Sequence, residues 1–417
     1  MPVIPRDQNP DATVGLMLDP YGYIGKCCRR LGTDVFRTRL LLQRTICLSG
    51  PRAAELFYDP ARFIRQGAAP GRMVYTLLGP GGVQSLDGEA HRHRKAMFLS
   101  VLAPERVGRL VELADDEWTD HARRWAGAGR VVLYDEARSV LTRAVCAWAG
   151  VPLEEKDVAH RVAQLTALFE SAGAVGPKHW WGRFERWRAD RWAAGLIDDV
   201  RARRLRPAED TALAVLAGHR DHEGKPLDAR TAGVELLNVL RPVVAVAVYI
   251  TFVAHALHRS PEGRARADEP GYADRFVQEV RRLYPFFPSI ATAVRESFAW
   301  DGYEFPKGTR VMLDLYGTSH DRRTWPDPDD FRPDRFRDRE PGPFEFVPQG
   351  GGDHATGHRC AGEWATVALM KGALDFLTHR IEYVVPAQDL TINFRRLPAL
   401  PRSRFVIDGV RQPSAVG

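Results

Sequence analysis

One short stretch of the 417-residue chain gathers side chains that bind metals. Residues 346–363, FVPQGGGDHATGHRCAGE, place His354, His358 and Cys360 among five glycines. A thiol binds a metal as the thiolate, and the following sequence, EWATVALMKGALDFL, predicts a helix whose positive N-terminal end favours that form. The glycines permit close approach of a bulky, flat ligand. Two other interpretations stay open: a zinc site formed by these three side chains, and a free cysteine in a tight loop.

A charged residue interrupts the longest apolar helical pattern of the chain. Residues 235–257, ELLNVLRPVVAVAVYITFVAHAL, carry Arg241 followed by Pro242. A buried guanidinium without an anion is costly, and no position three or four residues from Arg241 is acidic. Pro242 lacks an N–H, so it leaves the carbonyl of Asn238 unpaired and predicts a kink. Arg241 therefore needs an anion, which is either an acid distant in the sequence or a bound ligand.

The elements that must position these residues are mainly helical. Apolar residues recur every three or four positions over about residues 86–285. Strand-like alternation is confined to the segments VFRTRLLLQRTICL, FAWDGYEFPKGTRVMLDLY, IEYVV and SRFVID. No repeat or Gly/Ser linker divides the chain. We therefore expect one mainly α domain over residues 1–417, with small peripheral β-sheets.

Composition indicates a soluble cytoplasmic protein. The 59 basic and 53 acidic residues are interspersed, which favours a solvated mixed surface over a nucleic-acid partner. The five cysteines show neither paired metal spacing nor a disulfide framework, as is typical of a reducing compartment. The longest apolar run, Val243 to Leu257, is shorter than the roughly 18 residues that a membrane span needs. We expect no membrane span.

The cysteine loop resembles the haem-thiolate loop of the cytochrome P-450 superfamily. That loop consists of Phe, a glycine turn and then Gly-x-Arg/His-x-Cys-x-Gly, and it is matched here by Phe346, Gly357, His358, Cys360 and Gly362. The spacing from the phenylalanine to the cysteine is longer than in the common form. It is similar to the loop of the bacterial fatty-acid peroxygenase branch.

Two further motifs precede the loop in the order typical of the superfamily. EVRR supplies Glu279 and Arg282 on one helix face, and FRPDRF supplies Arg335. In the superfamily these three form a buried charged triad behind the cysteine loop. The resemblance covers essentially the whole chain and implies the cytochrome P-450 fold.

The resemblance implies haem b as the cofactor, with Cys360 as the axial ligand of the haem iron. In SLDGEAHRHRKAMF, His91 and Lys95 lie four residues apart on one helix face, as in the superfamily helix that holds a haem propionate. The other haem-contacting residues that we predict are Arg65, Arg359, Phe346 and Gly352.

The resemblance also implies the reaction. Ordinary haem-thiolate monooxygenases carry an acid and a threonine in the central helix, whereas the peroxygenase branch carries Arg-Pro, here Arg241 and Pro242, to grip a fatty-acid carboxylate. We therefore expect hydrogen peroxide as the oxidant, a fatty acid as the substrate and no redox partner protein. Gln84 occupies a position at which hydroxylases often carry Gln and decarboxylating relatives tend to carry His, which favours hydroxylation at the alpha or beta carbon. The residues that we expect to line the substrate pocket are Leu78, Ala172, Gly173, Phe287 and Pro288.

Alternatives remain at this stage. A fatty-acid decarboxylase of the same branch and a reductase-dependent monooxygenase of the same fold are the nearest ones. A non-catalytic haem sensor would keep Cys360 but has no use for a buried arginine. Residues 168–204 mix four tryptophans with many arginines, a composition typical of membrane-surface or nucleic-acid patches. Acids at 185, 190, 198 and 199 dilute this patch, so we expect a helix that covers the substrate channel instead.

Overall fold

The computed structural model describes residues 3–127 and 129–413, and their fold is mainly helical with small sheets, as predicted. Residues 1–2 and 414–417, the ends of the predicted domain, lie outside the described residues. The helices are α1 (Thr13–Leu18), α2 (Tyr23–Leu31), α3 (Pro51–Phe57), α4 (Gly71–Met73), α5 (Gly88–Val101), α6 (Pro104–Trp125), α7 (Leu133–Ala149), α8 (Glu155–Glu170), α9 (Pro177–Arg201), α10 (Ala212–Gly218), α11 (Ala229–Ala245), α12 (Ala247–Arg259), α13 (Glu262–Ala265), α14 (Tyr272–Leu283), α15 (Leu315–Ser319) and α16 (Glu363–Asp375). The strands are β1 (Val35–Leu40), β2 (Gln43–Leu48), β3 (Phe63–Ile64), β4 (Val131–Val132), β5 (Ser289–Val294), β6 (Phe298–Trp300), β7 (Tyr303–Phe305), β8 (Arg310–Asp314), β9 (Glu382–Val384) and β10 (Val406–Arg411).

The strands form small sheets with the orders β1-β2-β8-β5-β3, β4-β10-β9 and β6-β7. Strands β2 and β8 pair in parallel, and the other pairs are antiparallel. All four predicted alternating segments contain strands. Strand β5 lies outside them, because its sequence, SIATAV, is short and poor in large side chains. It is placed by pairing with β8 on one side and β3 on the other.

The core forms around α7, α11 and α12, whose apolar side chains are almost all buried. Residues 229–259 are long and apolar enough to cross a membrane by length and composition. However, 94% of the apolar 18-residue window within this stretch is buried inside the protein. This stretch is therefore a core element. Helices α9 and α11 pack closely at Gly233, where a Cβ would lie 2.7 Å from the backbone N of Ala194.

The apolar helix is interrupted shortly after the proline at which the sequence predicts a kink. Helix α11 ends at Ala245 and α12 begins at Ala247, so the interruption falls at Val246, one turn after Pro242. The N–H of Val246 donates to the carbonyl of Val243, three residues back, which tightens the turn locally. The break therefore follows Arg241 within about one turn.

Candidate active site

The cysteine loop folds against the N-terminus of α16. The N–H of Cys360 donates to the carbonyl of Gln349 (3.0 Å), and the side-chain amide of Gln349 lies 3.8 Å from Cys360 Sγ. Gly350 and Gly352 adopt φ values of +95° and +82°, which side chains resist. Of the five cysteines, Cys360 alone is not fully buried. Cys360 is thus the most exposed of the five cysteines.

Burial raises the pKa of the Cys360 thiol above its ordinary value, while the N–H of Gly362 and the charges of Lys95 and Arg281 act in the opposite direction. The predicted helix is present, and the Gly362 N–H at its N-terminus acts to lower the pKa of Cys360, as expected, although burial has the larger effect. Burial outweighs the helix end. A bound metal deprotonates a coordinating thiol outright, so the thiolate form depends on the metal.

Buried cations surround the loop and fit a ligand with carboxylate groups. Lys95 Nζ donates to the backbone carbonyls of Gly357 and Arg359, and Arg65 Nη1 donates to the carbonyl of Ala291 (2.9 Å). Among the residues that the structure describes, neither cation has a carboxylate within 4.0 Å. Burial lowers the pKa of Lys95 to about 8. An excess of buried positive charge beside Cys360 suits the two propionates of a haem.

His91 belongs to the same cluster. It lies on α5 one turn before Lys95, and its ring stacks on that of His358 at a centroid distance of 3.8 Å. Burial and neighbouring cations lower the pKa of His91 to about 4. A neutral imidazole keeps an N–H donor for a carboxylate. In residues 3–127 and 129–413, no three His, Cys, Asp or Glu residues cluster as a metal site, so zinc has no support.

The remaining predicted haem residues, Arg359, Phe346 and Gly352, belong to the cysteine loop itself. Arg359 donates to Glu363 through Nε (2.6 Å) and Nη2 (3.1 Å). Phe346 lies beneath the guanidinium of Arg281, 5.1 Å from the ring centroid. Arg281 also donates to Glu363 (2.5 Å), so this carboxylate joins two arginines next to the cysteine. Haem contacts from Arg359, Phe346 and Gly352 stay predictions. The sequence analysis missed Glu363, although its position right after the loop was a usable signal.

The predicted charged triad is confirmed. Glu279 is fully buried and receives two bonds from Arg282, at 2.7 and 2.8 Å, and one from Arg335 at 3.2 Å. Arg282 also donates to the carbonyls of Ser319 and Pro328. The cluster therefore ties α14 to the segment that leads into the cysteine loop.

Arg241 is buried and is not paired with a protein acid. Its Nη1–H donates to the carbonyl of Leu77 (2.7 Å) and its Nη2–H to Asn238 Oδ1 (3.2 Å), whereas Nε is buried and finds no acceptor among the described residues. Among the described residues, no carboxylate oxygen lies within 4.0 Å of the Arg241 guanidinium nitrogens. Burial and the nearby Arg186 lower the pKa of Arg241 to about 9, and Cys360 acts in the opposite direction. Arg241 and Cys360 are thus electrostatic neighbours.

The nearest acid on the same helix, Glu235, is paired with a different arginine. Glu235 pairs with Arg94 at 2.6 Å and accepts a bond from Asn238 Nδ2 at 2.9 Å. The same Nδ2 donates to Gln84 Oε1 (3.3 Å). The amide of Asn238 therefore turns its oxygen to Arg241 and its nitrogen to Glu235 and Gln84. We call these hydrogen bonds through the Asn238 side chain the Asn238 relay. The sequence analysis missed it because it considered only the backbone carbonyl of Asn238.

The carbonyl of Leu77 orients two arginines. It belongs to a π-helical turn, Val74–Leu78, and accepts from Arg186 Nη1 (3.0 Å) as well as from Arg241. The next residue but one, Gly79, has a φ of +85°, and a Cβ there would lie 2.1 Å from Arg186 Nη2. A backbone carbonyl has no signature in the sequence. Leu78, a predicted pocket residue, ends this turn and so lies beside the Arg241 site.

The other predicted pocket residues come from two separate segments. Ala172 and Gly173 follow α8, and a Cβ on Gly173 would lie 2.4 Å from Leu397 Cδ1. Arg72 of α4 donates to the carbonyl of Ala174, which ties this loop to the Val74–Leu78 turn. Phe287 and Pro288 precede β5, and the Phe287 ring packs edge-on against Phe286 at 4.9 Å. Their roles at the substrate stay predictions.

Comparisons with known proteins agree with this geometry. The family model described as Cytochrome P450 matches residues 256–371. The structure of cytochrome P450SP alpha (CYP152B1) in complex with (R)-ibuprophen is 51% identical and superposes with a TM-score of 0.95 over 97% of this chain and 100% of that one. For P450EX alpha (CYP152N1) with myristic acid the identity is 44% and the TM-score 0.96, over 99% and 100%.

A third solved structure, a variant of cytochrome P450 OleT in complex with arachidonic acid, is 34% identical, with a TM-score of 0.96 over the full length of both chains. These similarities extend over nearly every element described above. The chain therefore belongs to the cytochrome P450 superfamily, with haem b as its cofactor, and within the superfamily to the CYP152 fatty-acid peroxygenase branch that its motifs resemble.

Proposed function

We propose that this protein uses hydrogen peroxide to hydroxylate fatty acids at the alpha or beta carbon. The observation that carries the proposal is Arg241, a buried guanidinium without a protein carboxylate. A guanidinium has five N–H donors, and two of them are used here. The remaining three, including the buried Nε–H, suffice for a bidentate bond to a carboxylate. Myristic acid and arachidonic acid are the molecules bound in two of the related structures.

The bound carboxylate completes the acid–base machinery. Helix α11 continues from Arg241 as Pro-Val-Val-Ala, so no protein acid or hydroxyl follows it within that turn. A substrate carboxylate held by Arg241 accepts the proton of one peroxide oxygen and returns it to the other, which leaves as water. The haem, when bound through Cys360, supplies oxygen–oxygen bond cleavage assisted by its thiolate ligand. The net change is one C–H bond converted to C–OH, with one peroxide reduced to water.

The anchor also determines the carbon that reacts. Because Arg241 fixes the carboxylate, the first carbons of the chain are held in a constant position, whereas distant carbons are not. Gln84 bonds to Asn238 next to Arg241 and carries no titratable proton, which supports hydroxylation over decarboxylation. The cytoplasm is the proposed location, and no redox partner is required.

Product analysis tests the proposal. Purified haem-loaded protein is incubated with saturated fatty acids of several lengths, either with hydrogen peroxide or with NADPH and a reductase, and products are identified by mass spectrometry. We expect 2- or 3-hydroxy acids with peroxide and negligible turnover with the reductase system. Efficient reductase-driven turnover, or oxidation of the methyl end, would contradict the proposal. The methyl ester of the same acid serves as the control, because it cannot bind Arg241 as an anion.

A further inference from the structure

Helix α9 exposes a row of aromatic side chains on one face. Trp180, Trp181, Phe184 and Trp187 recur at helical spacing, and each is between 48% and 66% exposed. Single exposed apolar residues are ordinary, but a contiguous apolar patch marks a surface that another partner covers. None of the four contributes to the buried core clusters.

The charges beside this row all have the same sign. Lys178, Arg183 and Arg191 are exposed and Arg188 is half-buried. With the four aromatic residues, these cations make up what we call the α9 aromatic face. Arg183 lies over the ring of Trp180 (5.5 Å) and Arg191 over that of Trp187 (4.8 Å). The face is therefore both aromatic and cationic.

The acids that dilute this patch in the sequence do not reach its surface. Glu185 is 3% exposed, bonds to Gln164 and pairs with Arg188 at 3.4 Å. Asp190 is 9% exposed and pairs with Arg186 at 2.7 Å, so the cations of the face without an acid partner in the described residues are Lys178, Arg183 and Arg191. Both carboxylates point into the protein. Asp198 and Asp199 lie beyond the last aromatic residue, toward the other end of the helix. Two of the four acids that the sequence-based argument counted, Glu185 and Asp190, therefore do not reduce the exposed positive charge of this face.

A groove continues the face between α8 and α9. It encloses about 270 Å³ and is lined by Arg161, Arg188, Arg191 and His160, together with aromatic side chains and no acid. The guanidinium of Arg161 stacks on Trp192 at 3.9 Å. Such a groove is complementary to phosphate groups, which arginine binds through its fork of donors.

We propose that the α9 aromatic face docks on the surface of an anionic lipid bilayer. Tryptophan is the side chain that prefers the membrane–water interface, and surface arginines are drawn to anionic headgroups. The row lies along one convex helix, which suits a broad planar surface better than a single nucleic-acid strand. The opposite side of α9 holds the Leu77 carbonyl through Arg186 (3.0 Å), so docking brings lipid close to the Arg241 site. Docking itself does not depend on the proposed function.

Vesicle binding tests this proposal. Full-length, haem-loaded protein is sedimented with vesicles of phosphatidylcholine alone, or mixed with phosphatidylglycerol, at low and high salt. We expect binding to the anionic vesicles that salt weakens, and little binding to the neutral ones. Each cation near an anionic surface contributes about fivefold to partitioning, so the R183E/R191E variant should bind at least about 25-fold more weakly. Trp187→Gln should also weaken binding and reduce the blue shift of tryptophan fluorescence, to which Trp180 and Trp181 still contribute.

Matched controls use exposed residues elsewhere. Trp364 is 53% exposed, as is Trp187, so Trp364→Gln should leave vesicle binding unchanged. The R52E/R322E variant makes the same charge change away from α9 and should also bind normally; the haem spectrum verifies that every variant is folded. No binding to anionic vesicles, or equal loss in the controls, would overturn the proposal. Tighter binding to oligonucleotides, or self-association that Trp187→Gln abolishes, would assign the face to another partner and overturn it as well.

Discussion

Arg241 keeps a charge in the interior that the substrate-free protein does not neutralise with an acid. Its partners are a carbonyl and an amide oxygen, and burial lowers its pKa, which means that the charged form is disfavoured there. Arg94, on the other side of the Asn238 relay, pairs directly with Glu235. The two arginines thus share one network but differ in the presence of an anion, and substitutions at each should have opposite effects on stability.

The first prediction follows from that contrast. Arg241→Met should raise the free energy of unfolding of the fatty-acid-free protein by about 1–3 kcal/mol, because it removes an uncompensated buried charge. It should also weaken fatty-acid binding by at least about 30-fold. Arg94→Met should instead lower stability by about 3–5 kcal/mol, because Glu235 is left buried and unpaired. Denaturant unfolding with and without myristic acid measures both effects; equal losses of stability in the two variants would refute the assignment of Arg241.

Gln84 lies where its side chain can influence the substrate carboxylate without holding its charge. Its oxygen accepts from Asn238 Nδ2, one hydrogen bond from the group that orients Arg241. Gln84→His introduces an imidazole that can carry a proton near pH 7. We expect the ratio of terminal alkene to hydroxy acid, measured by mass spectrometry, to rise severalfold. Gln84→Leu removes the hydrogen bond without adding a proton carrier, so an equal rise in that variant would contradict the interpretation.

At the scale of elements, the turn Val74–Leu78 controls the site because one carbonyl orients two arginines. Gly79 leaves no space for a side chain there: a Cβ would lie 2.1 Å from Arg186 Nη2 and 2.5 Å from Val234 Cγ1. Gly67 has a similar φ, +72° against +85°, but nothing lies within 4 Å of its Cβ position. Substitutions at the two glycines therefore distinguish the cost of backbone strain from the cost of steric contact.

Gly79→Ala should lower stability by about 3 kcal/mol or more and raise the KM for fatty acids, because the turn and its carbonyl must shift. Gly67→Ala carries the backbone strain alone, which costs about 1–2 kcal/mol, and should leave KM unchanged. Thermal unfolding and peroxide-driven turnover measure the two effects. An unchanged KM in Gly79→Ala would show that the turn does not position Arg241.

The elements also show how far sequence reasoning reaches. Alternation predicted strand structure in the segment that forms β1 and β2. The turn between them places Leu41 and Leu42 at φ values of +54° and +63°, a geometry for which hairpin turns prefer Asn, Asp or Gly over leucine. Their N–H groups donate to Thr13 Oγ1 (2.6 Å) and Asp11 Oδ2 (2.7 Å), so distant residues hold the turn. The candidate site likewise contains features that the sequence predicts and features that only the folded chain creates.

Helical spacing alone predicted that Arg241 has no local acid, because the residues one turn away follow from the sequence. The carbonyl that orients it belongs to Leu77, 164 residues earlier, and only the folded chain brings the two together. Side chains with periodic spacing were therefore predictable. The backbone carbonyl that Arg241 binds was not predictable, and neither was the burial of the Glu185 and Asp190 carboxylates.

At the scale of the whole molecule, Glu279 connects the helical core to the cysteine loop. Its carboxylate pairs with Arg282 and Arg335, and Arg282 continues to the carbonyls of Ser319 and Pro328. Ser319, Pro328 and Arg335 all lie in the stretch that precedes the cysteine loop in the chain. Arg266 and Glu269 form a pair with the same three-residue spacing and two-pronged geometry on the surface. The two pairs differ in burial and in that Arg266 has a second acid, Asp334, at 3.1 Å.

Glu279→Gln preserves the shape of the side chain but removes its charge, which leaves Arg282 and Arg335 buried without an anion. Breaking a buried pair in this way costs about 3–5 kcal/mol, so we expect a large loss of stability and a lower fraction of protein that retains haem. Glu269→Gln makes the same change where water screens the charge, and it should alter neither quantity appreciably. Urea unfolding followed by circular dichroism, together with the haem absorbance per protein, measures both variants. If Glu279→Gln retains full haem content and stability, the charged triad does not hold the cysteine loop to the core, and neutral hydrogen bonds to the two arginines are sufficient.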